Sequence, residues 1–195
     1  MQQFDIAFYG FKSKFRQLPG DSNLFTDPGD NDTIIENDMA LGAPSGFNHQ
    51  RTEEKANFWK HLSDSGMLKG NYTNTEITSA PYIYQPGGNA PISLMAKSAV
   101  VTLFHSGNFS SPARMFYYIS NYDSTGIFTT VQAAAIDTKL DDGLGYGFSS
   151  NRKTVYAPGT PACAGSGGPS SGPYELDQPE LRCKLAIEVG VATEQ

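Results

Sequence analysis

The chain opens with MQQFDIAFYGFKSKFRQLPGD, residues 1–21, in which apolar residues recur at a regular step before a Pro-Gly-Asp corner. Phe4, Phe8, Phe11, Phe15 and Leu18 follow one another at spacings of four, three, four and three, the step at which one face of a helix returns. Residues 1 to about 17 are therefore predicted helical. Gly10 opposes the helix by about 1 kcal/mol relative to Ala. Pro19 and Gly20 end it, since Pro cannot continue the bond ladder and Gly takes a sharp turn. The five apolar side chains form a packing stripe expected to lie on a sheet, each Phe contributing about 1.5–3 kcal/mol on burial. Gln3, Lys12 and Arg16 fall off this stripe and are expected to face solvent. The periodicity starts almost at Met1 with no capping residue ahead of it, so the helix shows no visible start.

The whole chain sets the limits. With 195 residues it has the length of one domain, taken as 1–195, able to bury a sizeable core. Apolar residues are 38% and charged residues 17%, and 20 Gly and 12 Pro interrupt the chain, a composition of a compact core carrying long loops rather than a helical bundle. A formal charge of -6 offers no basic patch for phosphates, which argues against nucleic acid as a partner. No run of about 18 apolar residues occurs, and the N-terminus lacks the regions of a signal peptide.

After the corner, residues 20–50 read as a loop rich in Gly, Asp and Asn. A second helix is expected in EEKANFWKHLSDSG, with Thr52 as cap, Glu53 and Glu54 at the positive end of its dipole, Ala56, Trp59 and Leu62 facing inward, and Gly66 as the stop. A Tyr-rich loop follows over 70–92. ISLMAKSAVVTLFHS and ARMFYYISN then carry the β-branched and aromatic residues of two antiparallel strands joined at GNFSSP. Thr129 and Gln132 form a capping-box pattern ahead of a short helix ending near Gly143. KTVYAP and CKLAIEVG read as strands, with a Gly/Ser/Pro-rich loop between them.

Candidate chemistry is sparse. Cys163 and Cys183 lie 20 positions apart without metal-site spacing, and the pair reads as one disulfide formed in an oxidising space, the alternative being two buried thiols. Closing that loop contributes roughly 3 kcal/mol in the chain-entropy picture. His49, His61 and His105 fall in different expected elements, which points to hydrogen-bonding or solvent-facing roles rather than a zinc site. No nucleophile elbow, zincin helix or phosphate loop is present, so the chain reads as no enzyme; Ser150 with Lys153 is a chance-level match and GLGYG is loop. Two acidic groups, Asp27, Asp30, Asp32 and Glu36, and Asp137, Asp141 and Asp142, supply hard oxygen ligands of the kind calcium takes, though not at EF-hand spacing. They read first as turn residues bonding nearby backbone amides, with no cofactor, and calcium as the minority alternative.

In order along the chain, FKSKFRQLPGD, PGDNDTII, EEKANFWKHLSDSGMLKGNYT, AAAIDTKLDDGLGYGF and the terminal cysteine pair resemble the type IV pilins and type II secretion pseudopilins, prepilin-type proteins. The resemblance implies an α+β pilin-like head, with the N-terminal helix packed on an antiparallel sheet, long loops, and a C-terminal region closed over 163–183. It implies a structural subunit of a pilus or secretion pseudopilus, a minor one given the size of the head. Its partners would be other such subunits and, through an apolar helix upstream of residue 1, the inner membrane. Its place would be the bacterial periplasm or an extracellular filament. Some members hold calcium in their heads. The competing expectation is a secreted or surface adhesin-like module whose 70–92 and 164–182 loops bind a glycan or a protein.

Overall fold

A computed structural model describes residues 2–33, 35, 54–74, 86–94, 99–105, 115–121, 126–141, 155–156 and 183–189, with positions 163, 174, 176, 180 and 181. Helix α1 runs Gln2–Phe15 and α2 Glu54–Asp64. Strands β1 (Ala99–His105) and β2 (Met115–Asn121) come next, then helix α3 (Thr130–Leu140), and the short strands β3 (Val155–Tyr156) and β4 (Leu185–Glu188). The strands form one antiparallel sheet in the order β1-β2-β4-β3, with Val101 opposite Ile119 and Tyr117 opposite Ile187.

The helix ends follow local chemistry. Arg16, in the left-handed region at φ 60°, closes α1 with its N–H on the Lys12 carbonyl at 3.0 Å. Gly66, at φ 74°, closes α2, and the Leu68 N–H reaches back to the Leu62 carbonyl at 2.9 Å. At α3 the capping box forms as its spacing predicts: the Gln132 N–H donates to Thr129 Oγ1 at 3.2 Å and the Thr129 N–H to Gln132 Oε1 at 3.0 Å. The expected cap Thr52, the hairpin residues 107–112 and Gly143 lie outside the described residues, as does the side chain of Ala56.

Phe4, Phe8 and Phe11 are buried, while Phe15 and Leu18 are partly so. Their partners differ from expectation. Phe4 meets Tyr117 of β2 at 5.8 Å but also Trp59 of α2 at 5.1 Å, Phe8 stacks on Phe58 of α2, and Phe11 and Phe15 both reach Phe25 of the loop. The stripe thus faces α2 and the loop after the corner more than the sheet. The physical reason is α2, whose Phe58, Trp59 and Leu62 fill one side of the same core, so that α1 finds aromatic surface before it finds strands. Gly10 belongs to this packing, since a Cβ there would stand 3.2 Å from the Met67 sulfur.

A second apolar cluster gathers Ile119, Phe128, Ala133, Tyr174, Leu185 and Ile187 around a Cys163–Cys183 disulfide. The bond is buried, and Cys183 also exchanges backbone hydrogen bonds with Phe128. Strand β2 serves both clusters, through Tyr117 in the first and Ile119 in the second.

Removing the Phe11 ring leaves a hole in the first cluster, so Phe11→Ala is expected to lower unfolding stability by about 3–5 kcal/mol. Ile6, 69% exposed on the opposite face of α1, should tolerate Ala within about 0.5 kcal/mol. Urea unfolding of the two variants checks the direction in which the stripe faces.

Candidate functional site

The richest polar geometry lies where α1 turns into the loop that follows it. Pro19 ends the run and Gly20 sits at φ 94° against α2, so close that a Cβ would stand 2.5 Å from the Glu54 carbonyl oxygen. Only glycine satisfies both the angle and the space. The next residue, Asp21, is fully buried. Its carboxylate accepts the Asp32 N–H at 3.1 Å on one oxygen and the Thr33 N–H at 2.9 Å on the other, while its carbonyl accepts the Asn31 N–H at 2.9 Å. One side chain thereby folds the far end of the loop back onto the corner. Thr33 is held at φ 76°, an uncommon conformation for a β-branched residue that its bond to Asp21 helps to maintain. Burial pushes the Asp21 carboxyl up from its ordinary range; the amides of Thr33 and Asp32 pull it back, and the charge of Asp32 pushes the same way as burial.

Helix α2 holds the loop from the other side. Glu54 Oε1 accepts the Asp30 N–H at 3.1 Å, Asn57 Nδ2 donates to the Asp27 carbonyl at 3.1 Å, and His61 Nε2 lies 2.8 Å from that same carbonyl. His61 Nδ1 accepts the Gly20 N–H at 3.0 Å. An amide can only donate, so the neutral ring carries its proton on Nε2 and donates it to Asp27. Lys60 pairs with the Asp27 carboxylate at 3.2 Å and with Asp64. These bonds, Asp64 first, raise its pKa.

The expected acidic ligands are therefore distributed as follows. Asp27 is engaged with Lys60, and an oxygen of Asp30 accepts the Asp32 N–H at 3.2 Å. Asp137, buried, accepts the Tyr174 hydroxyl at 2.8 Å, joining α3 to the disulfide-closed segment; burial and then this carboxylate push the Tyr174 hydroxyl up. Asp141 caps the C-terminal end of α3 through its N–H. Glu36 and Asp142 lie outside the described residues, as do His49 and the side chain of His105. Among the described residues the acidic groups that converge are Asp21, Asp30 and Glu54, within 4.8 Å of one another. Only Asp30 belongs to the expected set. Each of the three is already bonded to loop backbone, which is the work turn carboxylates commonly do.

Sequence reasoning missed Asp21, Glu54 and His61 as one unit, although Pro-Gly-Asp and a Glu in the first turn of a helix were both visible signals. It also missed Asp5 on α1, which is buried beside Tyr117; burial first and Asp5 second push that tyrosine's pKa up. Comparison with models of known families, with characterised proteins and with solved structures finds no match for this chain.

Two substitutions test the corner. Gly20→Ala should cost about 2–4 kcal/mol, from the unfavourable φ and the clash with Glu54. Asp21→Ala should cost about 1–3 kcal/mol by leaving two amides without their acceptor, and Asp21→Asn, which keeps one acceptor oxygen, should cost less. Chemical denaturation of the three variants gives the order.

Proposed function

We propose that the chain is the head of a filament subunit of the type IV pilin and type II secretion pseudopilin kind, a minor subunit that acts by assembly and not by catalysis. The observation that carries this reading is the two-sidedness of α1. One face is sunk into the aromatic core through Phe4, Phe8 and Phe11, and the other presents Ile6 and Tyr9 outward. That outward face borders an open groove of about 490 Å3 whose lining includes Phe4, Met67, Leu68 and Ile92. A subunit that packs side by side through its first helix needs such a surface, because association draws on apolar area taken from water. The ordered run of motifs from FKSKFRQLPGD to the cysteine pair supports the same family. Among the described residues no helix is long and apolar enough to cross a membrane. Membrane attachment in this reading comes from an apolar continuation of α1, and the disulfide suits the oxidising side of that membrane.

Assembly through α1 is tested by charging its outward face. Ile6→Asp and Tyr9→Asp, in the gene product carrying its natural upstream sequence and expressed with its assembly machinery, should remain folded, the second at the greater cost because the Tyr9 ring packs on Phe8 at 5.1 Å, yet fail to enter sedimentable filaments. Normal incorporation of both variants, or recovery of the unaltered protein only as a monomer apart from any filament, contradicts the proposal.

A further inference from the structure

His61 is fully buried at the centre of the corner, and both of its ring nitrogens are committed. Nδ1 accepts from Gly20, the residue at which the chain turns, and Nε2 donates to the Asp27 carbonyl inside the loop. The ring is stacked on Phe25 of the loop, centroids 4.8 Å apart, and lies parallel to Phe11 of α1 at 6.4 Å. Three segments, the end of α1, the loop and α2, thus meet on one imidazole.

We propose that His61 is a proton-operated latch: neutral, it ties both the Pro19–Gly20 corner and the loop to α2, and protonated, it releases the corner while still holding the loop. The chemistry is a change of role at one atom. A proton added to Nδ1 converts an acceptor into a donor that faces the Gly20 N–H, another donor, so that bond is lost and two like dipoles oppose each other. The Nε2 bond to Asp27 survives, so release begins at the Gly20 side.

The groups around the ring decide the direction of the response. Burial opposes the charged form most strongly, and Lys60 on the same helix adds to it. The Asp27 carbonyl from the loop, and the carboxylates of Asp64 and Asp27, favour the cation. Helix α1 presents the ring of Phe11, and Phe25 offers a face that attracts a cation weakly. The balance lowers the His61 pKa. A histidine whose folded pKa lies below its unfolded value binds protons more readily when the structure opens. The latch is therefore fully closed above the ordinary histidine value of about 6.5 and weakens as pH falls through the lower, folded midpoint. This inference concerns the corner alone and does not depend on the filament reading.

The test is a nuclear magnetic resonance titration of the 195-residue chain between pH 8 and pH 5, following the His61 ring nitrogens and exchange of the Gly20 amide. Expected are an Nε2–H tautomer at high pH and a His61 midpoint below that of an ordinary histidine. Gly20 protection, corrected for intrinsic exchange, should fall about tenfold for each unit by which that midpoint is lowered. His61→Asn, whose side-chain oxygen stands near the Nδ1 position, should keep Gly20 protected and abolish the pH dependence. Where that variant does not fold, the unaltered chain alone decides. A midpoint at or above the ordinary value, an Nδ1–H tautomer, or Gly20 protection indifferent to acid overturns the latch.

Discussion

Asp21 is a carboxylate taken out of water, and the structure around it is arranged to supply what water would have supplied. The cost of burying an acidic group without partners is several kcal/mol, so the chain must bring donors to it. It does so with the amides of Asp32 and Thr33, which can reach Asp21 only if the loop doubles back across the corner. Once doubled back, the loop presents Phe25 to Phe11 and Phe15, and Asp27 and Asp30 to α2. The polar closure and the aromatic core are consequences of each other. Neither side has room for a different residue at Gly20, where loop and helix backbone come within a van der Waals contact.

That mutual dependence sets the structure around α1. The helix is not merely laid on the rest by an apolar stripe; it is clamped at its end by the loop and along its length by α2. Apolar burial supplies magnitude and is indifferent to small shifts along the axis. The bonds at Gly20, Asp21 and His61 are directional and fix one position. A helix so fixed can present Ile6 and Tyr9 at a constant angle, which is what a repeating packing surface of the proposed kind requires. The second cluster, around the disulfide and the Asp137–Tyr174 bond, packs on β2 and β4 in a similar mixture of apolar and directional contacts.

Much of the element order was legible in the chain. The 3.6-residue step of Phe4, Phe8, Phe11 and Phe15 marked α1, the β-branched and aromatic runs marked β1 and β2, and Thr129 with Gln132 marked the start of α3. These features are local, and local spacing records them. The partner of the stripe was not legible, because an aromatic face declares that it is buried and not what covers it. The corner was hidden for a related reason: Asp21 bonds residues up to twelve positions away, and His61 bonds Gly20 across 41. Acidic spacing along the loop suggested a ligand set, while the actual convergence of Asp21, Asp30 and Glu54 joins loop to helix, a pairing that only the folded chain creates.

Native-state hydrogen exchange on the unaltered protein shows whether corner, loop and helices open as one cooperative unit. If Asp21 closes the loop onto the core, the amides of Asp32 and Thr33 should exchange only in the same opening event as those in the middle of α1 and α2, with equal free energies and equal sensitivity to denaturant. Exchange of these two amides at the rate of an unstructured loop, while α1 and α2 remain protected, would show that the buried carboxylate does not organise the structure.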